Sequence, residues 1–170
     1  VAAGWTVTGA SDVNTGDVLP KVEQGEYALN FEMSVPGGLE AGTQHGFTMT
    51  VTSTGDSTQT VTHEFSATVE QCYGLSMSVD KTIDSADPGS SADFTVTVTN
   101  NGNGEDTVQY EMMGASAWNP ALSESSSTIA SGSTSQLVFT MAVPADASSQ
   151  ATSGTAMIHA YSEGCSEQTA

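Results

Sequence analysis

Two short oxygen-rich clusters are the residues of this sequence best suited to chemistry. Asp12, Asn14 and Asp17 form one; Asn101, Asn103, Glu105 and Asp106 form the other. Each sets carboxylate and amide oxygens at near-alternate positions of a glycine-containing loop, the kind of donor set that calcium, a hard cation, takes up. Neither contains the twelve-residue EF-hand pattern with its bidentate glutamate. A solvated turn is the simpler reading of both, and the second cluster doubles as hairpin chemistry. Calcium is therefore the one cofactor with candidate residues, and otherwise none is expected.

Other chemistries have less to stand on. His45, His63 and His159 are the only imidazoles, and no H-x-H or H-E-x-x-H spacing joins them, so strand histidines account for them more simply than a metal site. A chain this rich in serine offers hydroxyl nucleophiles but no G-x-S-x-G elbow, and no P-loop is present. Trp5 and Trp118 read as plugs of a repeated core rather than as sugar platforms, because aromatic residues make up only 6% of the chain. The expectation is a protein that is not an enzyme.

Charge excludes further classes. The 170 residues carry 20 acids against Lys21 and Lys81, with no arginine, for a net charge of -18. Phosphate backbones and anionic membranes both need Lys or Arg to replace their counterions, so neither nucleic acid nor a membrane surface is an expected partner. No apolar run is long enough to span a bilayer. Scattered acids keep a surface soluble at high ionic strength, where repulsion is screened within about 10 Å.

The elements that must position these residues are strands. Ser and Thr number 23 each, and no segment of ten or more residues has a 3.6-residue apolar period. The clearest strand is 92–100 (ADFTVTVTN), in which Phe94, Val96 and Val98 alternate with threonines. After it, 101–104 (NGNG) supplies residues tolerant of positive φ. Asp87, Pro88 and Gly89 form a turn before it. Strands are expected over 5–9, 26–35, 46–53, 58–70, 73–80, 91–100, 106–113, 117–122, 134–143 and 153–162. The serine-rich 123–135 reads as a long loop or a weak edge strand. This spacing predicts sandwiches of antiparallel sheets.

The pattern also repeats. Trp5 precedes 25–35 (GEYALNFEMSV), Pro36 and 46–53 (GFTMTVTS); Trp118 precedes 132–143 (GSTSQLVFTMAV), Pro144 and 154–162 (GTAMIHAYS). The glycine-to-proline intervals, 25 to 36 and 132 to 144, are 11 and 12 residues. Two modules follow, 1–72 and 73–170. The first reads as lacking its opening strands and the second its closing strand. Either the sequence is a window from a longer array or neighbouring subunits supply the missing strands.

The run 94–108 (FTVTVTNNGNGEDTV), then a tryptophan, a glycine-started strand and a "VP" followed by small residues, resembles the NEW3/CARDB-type immunoglobulin-like repeats. Those modules occur in large secreted and surface proteins of archaea and bacteria, and the acidic, threonine-rich style is similar to that of marine or halophilic archaeal examples. The resemblance covers most of 73–162, and its second half recurs in 5–53. It implies tandem immunoglobulin-like β-sandwiches, an extracellular or cell-surface location, and a structural role in a filament, lattice or stalk. Identical subunits or adjacent modules of the same chain would be the partners. An adhesion or carbohydrate-binding module of a larger secreted protein is the other role such a fold would fit.

Both cysteines depart from the general pattern of those repeats. In an immunoglobulin-like sandwich the start of the first strand and the loop after the sixth share one pole, which puts Cys72 and Cys165 within reach of each other. A disulfide there would close a loop running from 72 to 165 and contribute about 4–5 kcal/mol on the chain-entropy account. An interchain bond and two free thiols are the remaining possibilities.

Overall fold

The computed structural model describes residues 4–9, 28–113, 118–146, 153–165, 167 and 169–170. Among the described residues there are strands and turns and no helix, in four antiparallel sheets. In chain order the strands are β1 (Thr6–Gly9), β2 (Phe31–Ser34), β3 (Gln44–Thr52), β4 (Thr60–Thr68), β5 (Leu75–Val79) and β6 (Ser91–Asn100). β7 (Asp106–Met113), β8 (Pro120–Leu122), β9 (Ser126–Ile129), β10 (Thr134–Ala142) and β11 (Met157–Ser162) follow. The chain divides into two compact units, Val1–Glu70 and Gln71–Ala170, where the sequence pattern sets the break two residues later.

The second unit is sandwich-like. One sheet runs β5-β6-β10-β8 and the other β11-β7-β9. β6 places Ala92, Val96, Val98 and Asn100 in the interior, with Phe94 half-buried among them, and turns its threonines outward. β10 does the same with Leu137, Phe139 and Met141, in register with β6 from Thr134↔Thr99 to Ala142↔Ser91. Val108 and Tyr110 of β7, Ile129 of β9 and Ala160 of β11 close the same cluster from the other sheet. This is the period-2 burial expected of strands with one wet face. The turn before β6 is also as expected: Ser90 N–H donates to Asp87 O at 2.9 Å, with Pro88 and Gly89 at the central positions and Gly89 at φ 84°.

Several strands are narrower than expected among the described residues, 26–35 being confined to β2 and 153–162 to β11, and two further segments also differ in extent. The serine-rich 123–135 contains β9, a four-residue edge strand paired to β7 from Asp106↔Ile129 to Gln109↔Ser126. Its alternation is masked in sequence because only Ile129 is apolar, and hydroxyl contacts do the rest: Thr107 Oγ1 meets Thr128 Oγ1 at 3.3 Å, and Tyr110 Oη bonds Ser127 Oγ. The strand expected over 117–122 is confined to β8, which begins at Pro120. Proline cannot donate to a ladder, so it sits at the start of this edge strand.

The first unit is built on aromatic contacts. β1 pairs with β2 and β3 with β4. Phe31 of β2 lies 6.2 Å from Phe47 and 6.1 Å from Phe65, which stack on each other across β3 and β4 at 5.0 Å. Trp5 is buried, with its ring 5.3 Å from that of His45. Threonine pairs, Thr50–Thr62 and Thr52–Thr60, line the opposite face of the β3–β4 ribbon.

The doubled sequence pattern has a structural counterpart. In each unit the strand after the tryptophan pairs antiparallel with the strand that precedes the proline: β1 with β2, and β8 with β10. The next strands along, β3 and β11, take different partners. β3 pairs with β4, whereas β11 pairs with β7 and, on its other side, forms the bridge Tyr161↔Thr169 among the described residues.

Leu137 sits at the centre of this core. Leu137→Ala is expected to lower unfolding stability by about 2–5 kcal/mol through lost burial and a residual cavity. Val138→Ala, one residue along but 40% exposed, should change it by no more than about 0.5 kcal/mol. Urea unfolding of both variants is the check.

Candidate functional site

The residues singled out for chemistry meet, where they meet at all, at one end of the second unit. Three backbone segments gather there: the turn from β6 to β7, the approach to β5, and the corner after β11. Asn100 organises them. It continues the buried face of β6 (Val96, Val98, then Asn100) but carries an amide in place of an apolar side chain, and it is fully buried. Its Nδ2 donates to Gly104 O and to Ile129 O, both at 2.8 Å, and its Oδ1 accepts from Gly102 N at 2.8 Å. Its backbone accepts from Gly132 N (2.9 Å) and donates to Ser133 O (3.0 Å). One residue thus ties β6 to its own turn, to the end of β9 and to the β9–β10 turn.

The remaining asparagines of the turn are also in use. Asn103 Oδ1 accepts from Cys72 N at 2.7 Å while Asn103 N donates to Cys72 O at 3.1 Å. Asn101 Nδ2 donates to Ser76 Oγ at 2.9 Å. The sequence suggested a turn made by positive φ; none of residues 101–104 adopts it. The glycines serve close approach instead: a Cβ on Gly102 would stand 2.5 Å from Cys72 O. Amide side chains make the connection that backbone dihedrals were expected to make.

The four oxygen donors 101, 103, 105 and 106 are accordingly not brought together as one set. Asn101 and Asn103 are bonded to the chain around Cys72–Ser76. Glu105 is exposed and its carbonyl accepts from Gln71 Nε2 at 2.8 Å. Asp106 turns inward, 4% exposed, where Ser162 Oγ donates to its Oδ1 at 2.9 Å and Cys165 N donates to Ser162 Oγ at 3.1 Å. Asp106 Oδ2 has no hydrogen-bond partner among the described residues. No group of three His, Cys, Asp or Glu side chains arranged to hold a metal occurs among the described residues. The other calcium candidates, Asp12, Asn14 and Asp17, lie outside them.

Cys72 and Cys165 are free thiols in the structure, not the expected bridge; Cys72 is exposed and Cys165 half-buried. Residues near them in sequence line a cleft of about 220 Å³: Gln71 and Tyr73 from one segment, Glu163 and Gly164 from the other, with Glu105, Asp106 and Thr107 completing it. Gly164 lies so close to Tyr73 that any Cβ there would overlap the phenol ring.

The histidines sit on three different strands. His45 contacts Trp5, His63 is exposed on β4 opposite Met49, and His159 lies on β11 with its ring 5.7 Å from Tyr161. Trp118 is half-buried against the core cluster. The outer face of β7 and β11, which sequence reasoning missed, does gather functional groups. Tyr161 Oη donates to Glu111 Oε1 at 3.0 Å beside His159, and the cross-strand pair Met113–Met157 is exposed at the end of the ladder. Its only signal in sequence was alternation on two strands whose pairing was not known. The hydrogen bond to the Glu111 carboxylate raises the Tyr161 pKa, with desolvation and the nearby Glu163 acting in the same direction. At the surface, Lys81 Nζ meets Asp84 Oδ2 at 2.5 Å, which lowers the Asp84 pKa and raises that of Lys81.

Two outcomes follow. Asn100→Ala leaves Ile129 O buried and Gly104 O part-buried without their donor, so unfolding stability should fall by about 2–4 kcal/mol. Asn100→Asp should do no better at neutral pH, since a carboxylate would face two carbonyl oxygens. For Tyr161, a folded pKa above the unfolded value near 10 means its contribution is complete at lower pH and lost as pH rises through the folded value. NMR titration should show Glu111→Gln moving the Tyr161 midpoint down toward the ordinary phenol value.

No protein-family model matches the chain, and neither a curated protein nor a solved structure does.

Proposed function

We propose that the chain is a non-enzymatic structural segment of an extracellular or cell-surface assembly, a filament, lattice or stalk, built from tandem immunoglobulin-like sandwiches. On this reading the first unit lacks the opening strands of such a module and the second lacks the closing one. The observation that carries the proposal is the outer edge of β11. Ala160 exchanges two backbone hydrogen bonds with Ala170, at 3.1 and 2.9 Å, so that edge accepts a strand. Ladder groups alternate sides with period 2, so Ile158 also directs its N–H and C=O to this edge, where no described strand runs. An open edge of this kind is a template for strand addition. The occupant would be an adjacent module or a second copy.

The rest of the chemistry agrees with a mechanical role. Interior positions of the second unit are mostly apolar, with Asn100, Asp106 and Ser162 as buried polar members bonded to their surroundings, while the wet faces carry threonine and carboxylates. A net charge of -18 repels copies at low salt and is screened at high salt. A second reading, an adhesion or carbohydrate-binding accessory module, draws support from the β7–β11 outer face, where Tyr161, His159, Met113 and Met157 are grouped.

Sedimentation velocity across protein and salt concentration separates the two. The structural reading expects species well above 17.4 kDa that grow as salt rises. A chain that stays at 17.4 kDa under every condition, and that is retained on a glycan array unless Tyr161 is changed to Ala, would establish the second reading instead.

A further inference from the structure

We propose that Cys72 and Cys165 are the two halves of an intrachain disulfide site that locks the end of the second unit, formed when the chain meets a small disulfide oxidant. The inference does not depend on how, or whether, the chain assembles. The chain has only these two cysteines, and each is one residue from the same contact: Tyr73 follows Cys72, Gly164 precedes Cys165, and the Tyr73 ring lies directly against Gly164. Both segments line one cleft.

The two sides are held differently. Cys72 is fixed through its own N–H and C=O to Asn103, while Gln71 beside it is bonded to Glu105 O. Across the cleft, Glu163 N donates to Thr107 O at 2.9 Å and Cys165 N to Ser162 Oγ, which is itself bonded to the buried Asp106. The first side is therefore tied to the β6–β7 turn, and the second, a short corner just past the end of β11, is tied to β7. A disulfide needs Cα atoms about 4.4–6.8 Å apart. Formation of the bridge requires the corner to bring Cys165 to that separation from Cys72. Any larger residue at 164 would be driven off the Tyr73 ring.

The chemistry balances with a low-molecular-weight disulfide such as oxidised glutathione. One cysteine thiolate attacks a sulfur of the oxidant, breaking its S–S bond and releasing one glutathione thiolate. The second cysteine thiolate then attacks the protein sulfur of the mixed disulfide and releases the other glutathione. The two protein thiols lose two electrons and two protons, and the oxidant becomes two thiols. The product closes the loop from 72 to 165, which spans nearly all of the second unit, so it constrains the unfolded chain strongly.

The chain's few cations make the test direct. Cleavage after Lys21 and Lys81 puts Cys72 in the peptide 22–81 and Cys165 in 82–170. After incubation with oxidised glutathione the intact mass should fall by about 2 Da, and the digest should contain 22–81 joined to 82–170, separable by reductant. The oxidised chain should melt roughly 10 °C or more above the reduced one, and Cys165→Ser should show no such difference. Stable glutathione adducts on both cysteines, or a dimer joined 22–81 to 22–81, would overturn the proposal. So would two thiols that remain fully alkylable.

Discussion

The buried amide of Asn100 is the constraint on which the second unit depends. A sandwich holds two sheets together through apolar contact, which is non-directional and does not by itself specify which turn meets which strand. Asn100 supplies the missing direction. Its five hydrogen bonds, three from the side chain and two from the backbone, reach the β6–β7 turn, the end of β9 and the β9–β10 turn. A buried polar group that is fully satisfied in this way specifies one arrangement, whereas a register slip would leave it orphaned at a cost of about 1–3 kcal/mol per group. The neighbouring asparagines extend the same device outward to Cys72 and Ser76. The end of the sandwich is therefore held by amides, and the groups suited to cation binding are largely spent on that task.

The two units reach order by different means. The second has a closed interior, with Val96, Val98, Val108 and Leu137 almost completely removed from water and Tyr110 and Phe139 buried beside them. The first, among the described residues, buries Trp5 and relies on phenylalanines that remain partly exposed, including Phe31 at 36% and Phe65 at 41%. Aromatic pairs at 5–6 Å contribute beyond their buried area, about 0.5–1.5 kcal/mol each, which suits a ribbon with little interior. Thr–Thr contacts on its other face are the cross-strand counterpart.

Much of this architecture was legible in the residues. Strict alternation made β6 and β10 readable, because a valine or phenylalanine at every second position has only one face to bury. The Asp-Pro-Gly turn was readable for the same local reason. The tryptophan-to-proline repeat reappears as the shared pairing of β1 with β2 and β8 with β10. What was not legible was set by distant partners. β9 is held by hydroxyls of β7 that no local pattern reveals. Asn100 looked like the end of a strand beside a positive-φ turn, and only the proximity of Ile129 O and Cys72 shows why amides occupy that stretch. Pairing of β7 with β11 likewise created the Glu111–Tyr161 contact from residues 50 apart in sequence.

The claim that the amide-bonded end is integral to the fold, rather than a loop appended to it, is most directly tested by native-state hydrogen exchange. The account predicts that the Gly102 and Gly132 amides, which donate to Asn100, exchange only through unfolding of the whole second unit, with the same opening free energy as the Val98 amide. Fast local exchange at Gly102 and Gly132 while Val98 stays protected would contradict it.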